Sequence, residues 1–212
     1  MASTRRLSLF HDRIAATARA FPPARRVLYV AEGGLELDLP DRPGSVLDQG
    51  EAHHDTRPFS AAAHEGSALV LRWELGAPGQ PPLEGEVLGA DIEVGDDGDH
   101  LVRCDRVDFP PGGVAYLHTH QGPGIRCLLQ GSLRVEVDGG VATHDPLDAW
   151  FEAGPDPVYA AASADEPTAF ARVMVLPRTL LGQPSIRYVR EEDRDKPKPQ
   201  RYTMLVDEPM AL

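Results

Sequence analysis

The sequence predicts an all-β protein built from two copies of one β unit. Three observations predict it. Apolar residues alternate or form short β-branched runs, as in "SLRVEV" (132–137), where Leu133, Val135 and Val137 share one face and Arg134 and Glu136 the other. Gly and Pro, 20 of each in 212 residues, supply the frequent turns of a sandwich or barrel. The chain also repeats itself. "RRVLYVAEGGLELD" (25–38) lies over "PGIRCLLQGSLRVE" (123–136), bringing Gly33 onto Gly131 and Leu35 onto Leu133. "HHDTRPFSAAA" (53–63) lies over "EAGPDPVYAAA" (152–162), and "SALVLRWEL" (67–75) over "TAFARVMVL" (168–176). The offset drifts only from 98 residues (Gly33 to Gly131) to 101 (Ser67 to Thr168).

The elements follow in order. The Arg-rich, acid-poor N-terminus has the composition of a transit peptide but runs directly into a strand-like segment, so it reads as part of the fold. "DRIAATARA" (12–20) is the one plausible helix, and a short one. "RRVLYV" (25–30) and "SALVLRWEL" (67–75) read as strands. "GAPGQPPLEG" (76–85) is a Pro/Gly loop. "SLRVEV" and "AFARVMVL" (169–176) are the matching strands of the second copy. "REEDRDKPKPQR" (190–201) reads as a surface excursion before a last extended piece, "YTMLV". The expected organisation is an N-terminal half over 1–76, a linker over 77–97, a C-terminal barrel over 98–178, and a tail over 179–212 that packs on the barrels.

Composition excludes several function classes. The formal net charge of -12 repels phosphate backbones, so nucleic acid is not an expected partner. No run of about 18 apolar residues occurs, so no membrane span is expected. Cys104 and Cys127 have no paired spacing and read as buried free thiols, which fits a reducing cytoplasm. There is no P-loop and no G-x-S-x-G elbow.

The chemistry concentrates in "GGVAYLHTHQGPGIRCLLQG" (112–131). On an unbroken strand, residues 114, 116, 118 and 120 share a face. His118 and His120 would then point the same way, with Val114 and Tyr116 beneath them. Neutral imidazoles suit Zn, Cu, Fe and Ni, so two of them on one face can grip a divalent metal. Two partly exposed histidines near a strand end would leave the same spacing.

Gly112, five residues, then His118-Thr119-His120, with Gly131 closing the motif, resembles the first motif of the cupin superfamily. With the internal repeat, the chain resembles a bicupin over about residues 20–178. The resemblance implies two jelly-roll β-barrels in tandem. It implies a divalent metal (Fe, Mn, Zn or Ni) in the second barrel, and metal-dependent chemistry of the oxygenase or isomerase type. The family's glutamate would fall on Gly124, so that ligand is missing. Placing Glu152 over His53 through the repeat makes Glu152 the candidate third ligand, beside His118 and His120. Two histidines and a carboxylate are the composition of non-haem iron sites. The first copy carries Ala20 and Pro22 where the histidines would fall, so it is expected to be a scaffold.

Arg126 lies on the strand face of position 124. Its partner is either Glu152, in an ion pair, or the carboxylate of a bound ligand gripped bidentately; a position nearer a loop would instead leave it in solvent. Tyr116 is a second candidate ligand-binding residue, and Tyr159 is expected in the core. Only one of Trp150 and Phe151 can face inward, and His144 reads as a surface turn residue. A small, anionic organic ligand at the barrel mouth is the expected partner, with a homodimer left open. The rival reading is a non-catalytic cupin that binds or senses a small molecule.

Overall fold

In the computed structural model, which describes residues 3–94 and 100–210, the chain is all-β, and its described residues contain no α-helix. It divides into two compact units, Met1–Val94 and Gly95–Leu212. No described helix is long and apolar enough to cross a membrane.

The N-terminal unit comprises β1 (Ser3–Ala15), β2 (Arg19–Phe21), β3 (Arg25–Glu32), β4 (Leu35–Asp38), β5 (Ser45–Leu47), β6 (Ala52–Asp55), β7 (Phe59–Ala63), β8 (Ser67–Pro78) and β9 (Glu86–Val94). They form a five-stranded sheet, β6-β3-β8-β1-β9, and a four-stranded one, β2-β7-β4-β5. The inner faces share one core. Leu28, Val30 and Val70 of the first sheet meet Leu35, Leu37 and Phe59 of the second, which is the packing of a jelly roll.

The C-terminal unit comprises β10 (His100–Phe109), β11 (Val114–His120), β12 (Gly124–Gln130), β13 (Leu133–Val137), β14 (Gly140–His144), β15 (Ala149–Glu152), β16 (Val158–Ala162), β17 (Thr168–Pro177), β18 (Ile186–Tyr188) and β19 (Arg201–Met210). Its sheets are β15-β12-β17-β10-β19 and β14-β13-β16-β11-β18. The first order matches that of the N-terminal unit strand for strand. The core again draws on both sheets, with Val107, Leu128, Trp150 and Phe170 against Leu133, Val135, Val158 and Ala160. Every residue of β17 before Pro177 is buried, which is why this strand, Arg172 apart, reads as an apolar run rather than an alternating one.

Three expectations change. Residues 12–20 are not a helix. Asp12–Ala15 end β1, which is hydrogen-bonded between β8 and β9, and Arg19–Phe21 pair with β7. Ladder pairing of 12–15 with β8 and of 19–21 with β7 outweighs the weak helical preference of an Ala-rich stretch. Residues 77–97 are not a linker throughout, because Glu86–Val94 form β9 against β1 and bury Ile92 and Val94. The excursion after residue 190 and the final extended piece appear as read, but the tail does more than cover the barrel. β19 pairs with β10 and β18 with β11, so both extend the sheets.

Candidate functional site

One end of the C-terminal barrel is polar. His118, His120, Arg126, Glu152, Arg172 and Asp105 are all buried there. His118 and His120 come from β11, Arg126 from β12, Glu152 from β15, Arg172 from β17 and Asp105 from β10.

A bulge in β11 decides which side chains reach this end. Ala115 pairs with Ala160 and His118 with Val158, so three steps on β11 oppose two on β16. The extra residue reverses the alternation. Ala115 and His118 therefore both face the barrel core, whereas Tyr116 faces away. Tyr116 lines a surface recess with Tyr159 and Lys196, and Lys196 Nζ sits 5.0 Å from its ring centroid. The expectation that Tyr116 lies beneath the histidines is corrected by this bulge, and Tyr159 belongs to the same outer face rather than to the core. Of the aromatic pair on β15, Trp150 faces inward. His144, expected on the surface, is half-buried and stacks on Trp150 at 4.5 Å between centroids.

The position expected to carry a glutamate has no room for one. A Cβ on Gly124 would lie 2.5 Å from the Val173 carbonyl oxygen and 2.7 Å from Met174 Cγ. The Arg126 guanidinium occupies the neighbouring space, donating from Nη1 to the Gly124 carbonyl at 2.6 Å.

Arg126, 1 % exposed, takes Glu152 as its counter-charge, with Nη2 2.6 Å from Oε2. The Trp150 indole N–H donates to the other carboxylate oxygen at 2.9 Å. Arg172 is held by Asp105 through Nε at 2.6 Å and Nη2 at 3.1 Å, and its Nη1 approaches His120 Nε2 at 3.4 Å. His118 is oriented by the Tyr116 carbonyl, 2.6 Å from Nδ1. Its Nε2 faces His120 Nε2 at 3.2 Å.

These surroundings set the charges. Burial pushes His118 below the usual histidine range, against the pull of the Tyr116 carbonyl. It pushes His120 much further down, helped by Arg172, Arg126 and His118. Both imidazoles are therefore neutral at pH 7. Burial also lowers Arg126 to about 10, with Glu152 opposing. Arg172 is raised, because Asp105 outweighs the burial that acts against its charge. Two guanidinium–carboxylate pairs, Arg126–Glu152 and Arg172–Asp105, thus sit beside two neutral histidines. The packing is still imperfect: His120 Nδ1 is buried without a hydrogen-bond partner among the described residues, and Arg126 Nη2 and Glu152 Oε2, though 2.6 Å apart as an ion pair, are not aligned as a hydrogen bond.

His118, His120 and Glu152, the expected metal ligands, are brought together, with His120 Nε2 3.4 Å from Glu152 Oε2. They do not fit a divalent metal as they stand. Glu152 is held by Arg126 on the oxygen nearest His120, and the Arg172 guanidinium also reaches His120. An M²⁺ ion would add two charges to a buried cluster already in balance. Among the described residues no group of three or more His, Cys, Asp or Glu has the arrangement of a metal site.

Sequence reading missed Arg172 and Asp105. Arg172 interrupts the apolar run "AFARVMVL", and a charge in an otherwise buried strand is the signal that could have found it. The repeat also misplaced one match. Gly124 pairs with Glu152 where Arg26 pairs with Asp55, so Asp55, not His53, holds the place of Glu152. Likewise Phe21 pairs with Phe59 as His118 pairs with Val158. The N-terminal unit puts an aromatic stack, 5.2 Å between centroids, where the C-terminal unit puts its first histidine.

No protein-family model matches the chain, and no curated protein does. Solved structures do match its fold. A cupin 2 conserved barrel domain protein from Leptotrichia buccalis is 16% identical, with a TM-score of 0.50 over 82% of this chain and 87% of that one. AerE from Microcystis aeruginosa is 15% identical, with a TM-score of 0.56 over 82% and 88%. Oxalate decarboxylase from Bacillus subtilis, in a structure concerned with its Mn(II) centres, is 13% identical, with a TM-score of 0.65 over 91% and 74%.

Proposed function

Since the fold is that of the cupins, we propose that the C-terminal barrel is a small-molecule site. In this reading His118, His120 and Arg172 form the polar end that a ligand meets, and the rest of the barrel is closed core. The observation that carries it is the buried His120, whose Nδ1 has no hydrogen-bond partner among the described residues, at the barrel end where Arg172 and Tyr202 also line an open cleft. Buried polar atoms are normally satisfied, so an exception beside an open cleft calls for an explanation, and a ligand supplies one. A neutral His120 can accept a proton, and the adjacent Arg172 has guanidinium hydrogens left to donate to a ligand carbonyl. Isomerase-type proton transfer is therefore the chemistry this set supports without a metal. A non-catalytic binding module would use the same contacts.

One observation favours a second reading, a divalent metal like the manganese of the Bacillus subtilis enzyme. His118 Nδ1 is engaged by a carbonyl, which leaves its Nε2 lone pair facing His120 Nε2 at 3.2 Å, the tautomer a metal ligand needs. This reading requires Arg126 to release Glu152. The test is metal content after purification without added metal, alongside imidazole ¹⁵N spectra. The metal-free reading expects far less than one equivalent and neutral imidazoles at pH 7. One equivalent in the wild type, lost in His118→Ala/His120→Ala, would establish the metal instead.

A further inference from the structure

The cleft beside the polar cluster has a volume of about 560 Å³. That lies within the range of roughly 300–1,000 Å³ typical of sites for drug-sized ligands. It lies in the C-terminal unit, between the segment Gly182–Ile186 and residues of β10, β17 and β19. The barrel interior behind it is a tightly filled space of about 20 Å³. A ligand of any size must therefore keep most of its body in the cleft.

The charged groups of the cleft are already engaged with one another. Arg103 is 2.8 and 3.0 Å from the two carboxylate oxygens of Asp207, and also donates to the carbonyls of Leu180 and Gln183. Asp207 accepts the Gly182 N–H at 2.8 Å as well. Arg172 has Asp105. Each cation in the wall has its own carboxylate, so a bound anion would meet no uncompensated positive charge and would lose its hydration.

Two things remain for a ligand. One is apolar surface. Pro184, Ile186, Tyr202 and Met204 line the cleft, and Tyr202 and Met204, side by side there, are 43% and 49% exposed. The other is Arg172. Its bonds to Asp105 and His120 leave guanidinium hydrogens over, and its Cζ lies 5.7 Å from the Tyr202 ring centroid. Arg172 also links the cleft to the cluster through His120.

We infer that the cleft binds the body of a neutral, largely apolar molecule carrying a hydrogen-bond acceptor, such as a ring-bearing ketone, and not a small carboxylate of the oxalate class. The inference rests on the reading of the barrel as a small-molecule site and adds the class of ligand. The carbonyl oxygen accepts from Arg172, which places the adjacent carbon beside His120. The rings lie on Tyr202, Met204 and Ile186.

The test is a ¹H–¹⁵N titration of the full chain with three probes: 1-indanone, indane-1-carboxylate and oxalate. Indanone is expected to shift the amides of Ile186, Tyr202 and Met204 and to bind at least tenfold more tightly than the carboxylate of the same ring. Oxalate is expected to shift none of them. Met204→Glu, on the exposed wall, is expected to weaken indanone at least fivefold while leaving the melting temperature unchanged. Equal or tighter binding of either carboxylate would overturn the inference. So would indanone binding that is absent or indifferent to Met204→Glu. The imidazole signals of His118 and His120 report separately on the barrel. Cleft shifts with unmoved imidazoles would keep the cleft site and remove the barrel reading.

Discussion

Arg126 and Glu152 face each other from adjacent strands with Nη2 2.6 Å from Oε2, both buried in the end of the C-terminal barrel. This contact settles which group has first claim on the carboxylate. It also makes the two residues interdependent, because neither charge has water to fall back on.

Removing one partner should therefore cost far more than removing both. Glu152→Gln leaves a buried guanidinium without its counter-charge, which is worth about 3–5 kcal/mol of destabilisation. Arg126→Leu/Glu152→Leu, which removes both charges, should lie within about 2 kcal/mol of wild type. Urea unfolding of the three proteins checks this. A single variant as stable as the double one would show that the pair is not interdependent.

Gly124 should resist introduction of the glutamate that the cupin resemblance would place there. Its Cβ would strike the Val173 carbonyl, a backbone atom that cannot swing aside. Gly124→Ala should cost about 1–3 kcal/mol from overpacking, and Gly124→Glu more, with no gain in metal binding. Thermal melts and metal analysis of both variants measure this. A stable Gly124→Glu protein holding one equivalent of metal would contradict the packing described.

Stability should fall as the solution is acidified. His118 and His120 are held below the ordinary histidine value of 6.5 in the folded protein, so the unfolded chain takes up protons first. Their contribution is complete above pH 6.5 and is lost as the pH drops toward the folded values. The slope is at most about 1.4 kcal/mol per pH unit for each histidine. Unfolding free energies at pH 7 and pH 5.5, with chelator present, should show the loss. His118→Gln/His120→Gln should flatten it, and an unchanged slope in that variant would place the effect elsewhere.

Both cysteines should be inert in the folded protein. Burial pushes Cys127 up to about 12 and Cys104 higher still, so little thiolate exists near neutral pH. Iodoacetamide at pH 8 should leave the native mass unchanged and add two carbamidomethyl groups after denaturation. Labelling of either thiol without unfolding would show that its strand opens.

Much of the fold was legible before any coordinates. The repeat offset, the alternation in "SLRVEV" and the Gly33 and Gly131 turns all correspond to matched strands in two sheets of the same order. The failures were local. "DRIAATARA" reads as helical because Ala carries high helix propensity, yet its first half is tied into a ladder by residues 67–70, a pairing partner that no local window contains. "EVLGADIEV" follows a Pro/Gly stretch and looks like linker, yet finds an open edge on β1.

The sequence by itself determined that the chain is all-β and that it carries one β unit twice, and it marked His118, His120, Arg126 and Glu152 of the second copy as candidates; the jelly roll entered only with the resemblance to the cupins. Those conclusions depend on periodicity, turn residues and spacing, which are properties of neighbours along the chain. Tertiary structure alone decided three things. The bulge between Ala115 and His118 turned Tyr116 out of the barrel. Cross-strand pairing gave Glu152 to Arg126 and set Asp55, not His53, in the equivalent place. Strands distant in sequence brought Arg172 against His120 and Asp105 against Arg172. A one-residue slip in a strand exchanges its two faces, and a buried charge is governed by whichever opposite charge folding brings within about 4 Å.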